Sequence, residues 1–175
     1  MTVLTLRAYT QQSPLLEDAL QIYARVWPDR DPEVARETFT RYAGYPGFSG
    51  FVAFIDDEPA GVGYGAQSSP GVPWHDLVAP RLGVDRPEFQ DAFRIVELAA
   101  DEAHQGKGIG GQLHDRLLAA QPCRRALIST NVTNLRARGI YERRGWTYLH
   151  TAFDVPDDPH QYVIMAQELG ARDNS

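Results

Sequence analysis

The 175-residue chain predicts an α/β fold, a mixed central sheet of six to seven strands with about four helices on both faces. Three observations carry this. Short apolar runs alternate with segments of helical period, in the order β-α-α-β-β-β-α-β-α-β-β. The run "AFRIVELAA", residues 92–100, is the most strand-like segment of all. With 43% hydrophobic residues the chain suits one compact domain, residues 1–175, with a sizeable core.

The elements follow in order. "TVLTLRAY" reads as a first strand. Ser13 with Pro14 signals a helix start, with Leu16, Leu20, Tyr23 and Trp27 toward one side. Asp31 and Pro32 repeat the signal for a second helix carrying Val34, Phe39 and Tyr42, stopped near Gly44. "FVAFIDDEPAGVGYGAQ" reads as two strands around a polar turn at Asp56 to Pro59. "SSPGVPWHDLVAPRLG" reads as a long loop with one helical turn, and such loops often carry function. After "AFRIVELAA", Ile109, Leu113 and Leu117 form one face of a helix. "ALIST" is a short strand and "NLRARGIYERRG" a helix with Asn134 as cap, ended by Gly145. "WTYLHTAF" and "QYVIMAQ" close the chain as antiparallel strands.

Composition narrows the function. No charged segment followed by a long apolar run opens the chain, so a secretory signal is not expected. No stretch nears the ~18 apolar residues of a membrane span. Cys123 is the only cysteine, so no internal disulfide is possible and a cytoplasmic setting is the default. The five histidines show no ligand spacing, so no metal is expected. The net charge of −6 speaks against nucleic acid as partner. Residues 104–146 nevertheless hold eight cations against two acids, a net of +6, leaving −12 in the rest. One region suits an anion; arginine-rich helix faces are the bland alternative.

Gly106, Gly108, Gly110 and Gly111 stand between the central strand and its helix. A Walker loop fails, because Lys107 is followed by Gly108 rather than by Ser or Thr. Gly106, Gly108 and Gly111 satisfy G-x-G-x-x-G, the dinucleotide fingerprint. Against it, five polar residues, Asp101 to Gln105, separate the strand from the first glycine, and no acid stands near the next strand's end.

The third pattern is Gln105-x-x-Gly108-x-Gly110, preceded by "VELAA". Here the chain resembles the GNAT superfamily of acetyl-CoA-dependent N-acetyltransferases, whose pyrophosphate loop, (Gln/Arg)-x-x-Gly-x-(Gly/Ala), is matched by "QGKGIG". A second block agrees: Asn134, Ala137, Tyr141, Gly145 and Trp146 stand where the family shows N-x-x-A-x-x-x-Y-x-x-x-G-(F/W). Ala100 and Glu102 depart from the valine and proline often found there, leaving the strand's exit less defined.

The resemblance implies a mostly antiparallel sheet and acetyl-CoA as co-substrate. It places the cofactor on Gln105, Gly106, Lys107, Gly108, Ile109, Gly110 and Gly111, on the strand around Leu98, Ala99 and Ala100, and beside Asn134 and Ala137. Helix N-terminal amides suit a diphosphate. The family parts the "VELAA" and "ALIST" strands, and pantetheine lies in the gap.

Aminolysis of a thioester needs a neutral amine. An alkylamine with pKa ~10.4 is neutral in only about one molecule per thousand at pH 7, so a base or ordered water must take a proton. Glu97 is the candidate base, although strict alternation turns it away from Val96 and Leu98 unless a bulge re-aims it. A surface carboxylate is the alternative. Tyr141 is implied as hydrogen-bond donor to the leaving sulfur, with packing against the sheet as the alternative.

Trp27, Tyr64, Trp74 and His75 are candidate walls for the acceptor, with "PWHDL" as a lid. The expected acceptor is a primary amine of a small molecule or peptide; neither nucleic acid nor membrane is expected as partner, and a homodimer is left open. A non-catalytic acyl-CoA-binding module is the alternative function.

Overall fold

The computed structural model describes residues 1–170. Seven strands form one sheet in the order β1-β2-β3-β4-β5-β7-β6. They are β1 (Leu4–Ala8), β2 (Ser49–Ile55), β3 (Glu58–Ser68), β4 (Ala92–Ala100), β5 (Arg125–Asn131), β6 (Thr147–Asp154) and β7 (Gln161–Glu168). The helices are α1 (Leu15–Val26), α2 (Pro32–Ala43), α3 (Pro73–Leu82), α4 (Ile109–Ala119) and α5 (Leu135–Arg143). The pairs β1–β2, β2–β3, β5–β7 and β6–β7 run antiparallel, and β4–β5 runs parallel. The expected class, a mixed and mostly antiparallel sheet with helices, is the observed one. Backbone contacts group the chain into two compact units, residues 1–67 with 95–121, and residues 68–94 with 122 onward.

In the first unit, β2 and β3 join through Asp56 and Asp57, both at positive φ (49° and 67°). Two successive left-handed residues make the turn whose twist matches a tight hairpin. Helix α1 buries Leu16, Ala19 and Ile22, a stripe rotated from the expected one, and Trp27 is left 40% exposed at its C-terminal end. Helix α2 buries Ala35, Phe39 and Tyr42, while Val34 points outward.

Helix α4 follows the expected face. Ile109, Leu113 and Leu117 are all fully buried, each such side chain stabilising the fold by roughly 1.5–3 kcal/mol. They seat against β3, where a Cβ on Gly61 would stand only 2.5 Å from Ile109 Cγ2.

The second unit corrects the helix count. The segment expected as a loop forms the ten-residue helix α3, giving five helices rather than about four. Pro73 occupies a first-turn position, where no N–H is needed, and Gly83 ends the helix at φ 111°. Pro80 removes one interior hydrogen bond and alone costs about 3 kcal/mol. Complete burial of Val78 and Ala79 against Phe89, Leu127, Phe153 and Ile164 holds the helix despite it. Tertiary packing overrides the local proline signal.

Candidate active site

The glycine-rich segment opens α4. Gly108 is its N-cap residue, in the left-handed region at φ 76°, and Gly106 shares that conformation at φ 78°. Side chains rarely adopt it. No side chain caps this helix and no acid stands in its first turn. Its first backbone bond runs from Gln112 N–H to Gly108 O at 3.0 Å, so the amides of Ile109, Gly110 and Gly111 precede the ladder. A Cβ built at Gly106, Gly108 or Gly110 would meet nothing within 4 Å. The surface is open and donor-rich, with no acid in the first turn of the helix. Lys107 Nζ lies 3.3 Å from His104 Nδ1 beside it.

The exit of β4 is held by Asp101. Its N–H donates to Ala60 O at 2.9 Å, and its carboxylate accepts from Ala103 N–H at 3.1 Å. The other carboxylate oxygen pairs with Arg25 of α1 at 2.7 Å. Asp101 therefore fixes the chain between the strand and the glycine loop. Sequence reasoning missed this group, because Arg25 lies 76 residues away and no local pattern links the two.

Backbone direction along β4 follows the same period. Ala99 O points toward β3, 3.1 Å from the Cβ position of Gly61, and the Asp101 amide also serves β3. With a period of two, the backbone groups of Leu98 and Ala100 face the opposite edge. Along that edge the parallel ladder with β5 spans only Ala92–Arg94, opposite Arg125–Leu127.

Side chains alternate too. Leu98 lies on the α4 side, with Cδ2 2.9 Å from the Cβ position of Gly63, beside Leu117 and Leu113. Alternation turns Glu97 to the other face, the face of Tyr64, whose ring packs on Phe39 of α2 at 4.6 Å. Two phenols feel the Glu97 charge. Tyr9 is pushed far up, first by burial and then by Glu97. Tyr23 is raised by the same two causes in the same order, opposed by Arg30. Tyr64 itself is 2% exposed, enclosed by Phe39, Tyr42 and Phe48.

The second unit carries the other expected residues. Asn134 caps α5, its side chain accepting from Ala137 N–H at 3.1 Å. Tyr141 is buried with its ring 5.8 Å from Trp146. Trp74 lies under the Arg94 guanidinium at 4.4 Å, and Arg94 donates to Ser129 Oγ. His75 is 8% exposed, its Nδ1 3.1 Å from Ser68 Oγ. Burial holds its pKa below the usual histidine value, with Asp76 opposing. Residues 73–77, expected as a lid, are the first half of α3, and Asp76 accepts from Gly71 N–H. The first unit thus gathers Trp27, Tyr64, Glu97, Leu98, Ala99, Ala100 and residues 105–111; the second holds Trp74, His75, Asn134, Ala137 and Tyr141.

Among the described residues no helix is long and apolar enough to cross a membrane.

Known proteins share this fold and part of this sequence. A GCN5-like protein acetyltransferase of Mycobacterium tuberculosis is 32% identical over 120 residues, covering 62% of this chain and 58% of its own length. The chain therefore spans a little over half of that relative. The ribosomal-protein-S18-alanine N-acetyltransferase of Escherichia coli shares the fold with a TM-score of 0.67 at 15% identity, covering 99% of both chains. The Salmonella typhimurium protein yncA, solved with its cofactor acetyl-CoA, does so at 0.67 and 16% identity, over 97% of this chain and 96% of its own. The sequence pattern of the acetyltransferase (GNAT) family matches residues 16–146, from α1 through the glycine loop to Trp146. This chain belongs to that family.

Proposed function

We propose that the protein is an N-acetyltransferase. It moves an acetyl group from acetyl-CoA to a primary amine of a small molecule or peptide, by direct attack in a ternary complex. The observation that carries this reading is the start of α4: an uncapped helix with no acid in its first turn, opened by left-handed glycines and an unobstructed surface. Those amides fit the diphosphate of coenzyme A. Lys107 adds a positive charge nearby.

Family membership extends the reading. The backbone of Leu98 and Ala100 faces away from β3, the direction an extended pantetheine arm would use, with Ala99 as the buried apolar residue between them. Bound acetyl-CoA supplies an activated acyl carbon. Glu97 takes the proton that the attacking nitrogen gives up, directly or through a water, a contribution typically worth ~10²–10⁴-fold. Tyr141 donates a hydrogen bond to the departing sulfur. Full proton transfer there would be uphill, from a phenol near pKa ~10 to a thiolate near ~8.5, so the hydrogen bond acts as charge develops. Asn134 and Ala137 support the cofactor from α5. Trp27, Tyr64, Trp74 and His75 are assigned to the acceptor, Tyr64 and His75 through small exposed parts of their side chains. No metal enters the proposal.

The test is thiol release from acetyl-CoA with a panel of primary amines. Amine-dependent release that falls at least 100-fold in both Glu97→Gln and Tyr141→Phe, with coenzyme A affinity kept, supports the roles. Full activity in both removes them, and coenzyme A binding without any amine-dependent release favours a binding module.

A further inference from the structure

Tyr9 stands out in the first unit. It follows β1 directly, and its N–H donates to Gly50 O at 3.0 Å. Its ring fills the space that a side chain at position 50 would take. A Cβ on Gly50 would lie 2.6 Å from Tyr9 Cε1 and 2.8 Å from Phe48 Cζ. The residue is 3% exposed, yet its hydroxyl has no hydrogen-bond partner among the described residues. Buried hydroxyls normally find one. Phenylalanine would fill the same space without that penalty, so packing alone does not explain the oxygen.

The surroundings supply a reason. Tyr9 packs edge-on against Phe48 at 5.6 Å, Phe48 against Tyr64 at 6.2 Å, Tyr64 against Phe39 at 4.6 Å, and Phe39 against Tyr23 at 5.3 Å. Glu97 is on the Tyr64 face of the sheet, and its charge reaches both Tyr9 and Tyr23. The polar groups among these rings and beside them are the phenols of Tyr9, Tyr23 and Tyr64 and the carboxylate of Glu97. The Tyr9 hydroxyl makes no direct hydrogen bond to the Glu97 carboxylate. A buried water needs two to four polar partners, and Tyr9, Glu97 and Tyr23 are three of the four polar groups in this cluster.

We propose that Tyr9 is a positioning residue, its hydroxyl holding, together with Glu97 and Tyr23, the water through which the acceptor amine loses its proton. The inference rests on the acetyltransferase reading above. As the amine nitrogen bonds to the acyl carbon and the carbon–sulfur bond breaks, one proton passes from nitrogen to this water, and the water passes one to the Glu97 carboxylate. The departing sulfur is protonated separately. Tyr9 stays a neutral phenol throughout, because burial opposes its ionisation. It can accept from the water or donate to it without changing charge. A hydrogen bond relayed to the carboxylate favours its charged form and lowers its pKa.

The experiment compares wild type with Tyr9→Phe. The groups facing Glu97 are Tyr9 beyond β1, Tyr23 of α1 with Arg30 acting on it, and Tyr64 of β3, so only the first changes. The expected result is an equal or higher Tm, unchanged coenzyme A affinity by calorimetry, and ~10-fold lower kcat/KM with butylamine or 2-phenylethylamine. The loss falls mainly in kcat, and the acid limb of the pH profile moves to higher pH. Unchanged kcat and an unmoved limb, or a loss that only tracks a fall in Tm, overturn the proposal. A carbon-13 NMR titration of the Glu97 carboxyl in both proteins decides the matter independently of turnover. A higher midpoint in Tyr9→Phe supports the water site, and identical midpoints overturn it. Absence of coenzyme A binding by the wild type would instead overturn the acetyltransferase reading, leaving the NMR result to stand for Tyr9 alone.

Discussion

Helices α2 and α4 both lie in the first unit, and they begin in opposite ways. Helix α2 is closed chemically: Asp31 accepts from Glu33 N–H at 2.8 Å and from Val34 N–H, proline occupies the first turn, and Glu33 adds an acid there. Its positive end is neutralised by its own sequence. Helix α4 has a left-handed glycine where α2 has an aspartate, no capping side chain and no first-turn acid. Equal peptide dipoles thus face very different surroundings. A cap is worth about 1 kcal/mol, and α4 forgoes it while burying one face completely. The difference shows where the chain spends local stability on folding and where it leaves donors available for a ligand.

Making α4 resemble α2 should break the contrast most strongly. Gly110→Asp places a carboxylate on an open surface in the first turn. Helix stability should hold or rise by ~0.3–1 kcal/mol, while coenzyme A affinity falls more than ~100-fold by calorimetry. Loss of both together would mean the glycine serves folding alone. The reciprocal change is smaller. Asp31→Ala should lower stability by about 1 kcal/mol, a Tm shift of roughly 2–4 °C for a domain of this size, without altering coenzyme A affinity. Lys107→Met sharpens the picture at lower amplitude. A solvated lysine contributes about 0.2–1 kcal/mol, so affinity should drop a few-fold at low salt, with the difference fading at high salt.

The smallest expected effect lies in the second unit. His75 is held neutral by burial, so its folded pKa lies below the unfolded value of ~6.5. Below that value the unfolded chain takes up the proton first, and stability falls as pH drops through ~6.5 toward the folded pKa. His75→Gln should flatten this part of a Tm-against-pH curve. A curve equally steep in the variant would assign the slope to other groups.

Legibility in the sequence followed the range of the interaction. Strand β4 and the Ile109, Leu113, Leu117 face of α4 were readable because apolar periodicity and burial agree there. The caps at Asp31 and Asn134 were readable because a cap acts within three residues. Helix α3 was not, because Pro80 argues locally against a helix that distant residues such as Phe153 and Ile164 support. The exposed positions of Trp27 and Val34 were missed for a related reason: apolar character does not fix which way a helix is turned. In the candidate site, the glycine loop was legible from its composition, as was the unusual carboxylate of Glu97 within an apolar strand. The Arg25–Asp101 pair and the unpartnered Tyr9 hydroxyl became visible only when residues far apart in sequence were brought together.

The central claim is that the amides opening α4 grip a diphosphate. Paired calorimetric titrations with coenzyme A and with pantetheine, which lacks the diphosphate, test it most directly. The account predicts coenzyme A binding at least ~100-fold tighter than pantetheine, a gap of about 2.7 kcal/mol, narrowing sharply in Gly110→Asp. Equal affinity for the two ligands, or no heat with coenzyme A and correctly folded protein, would contradict it.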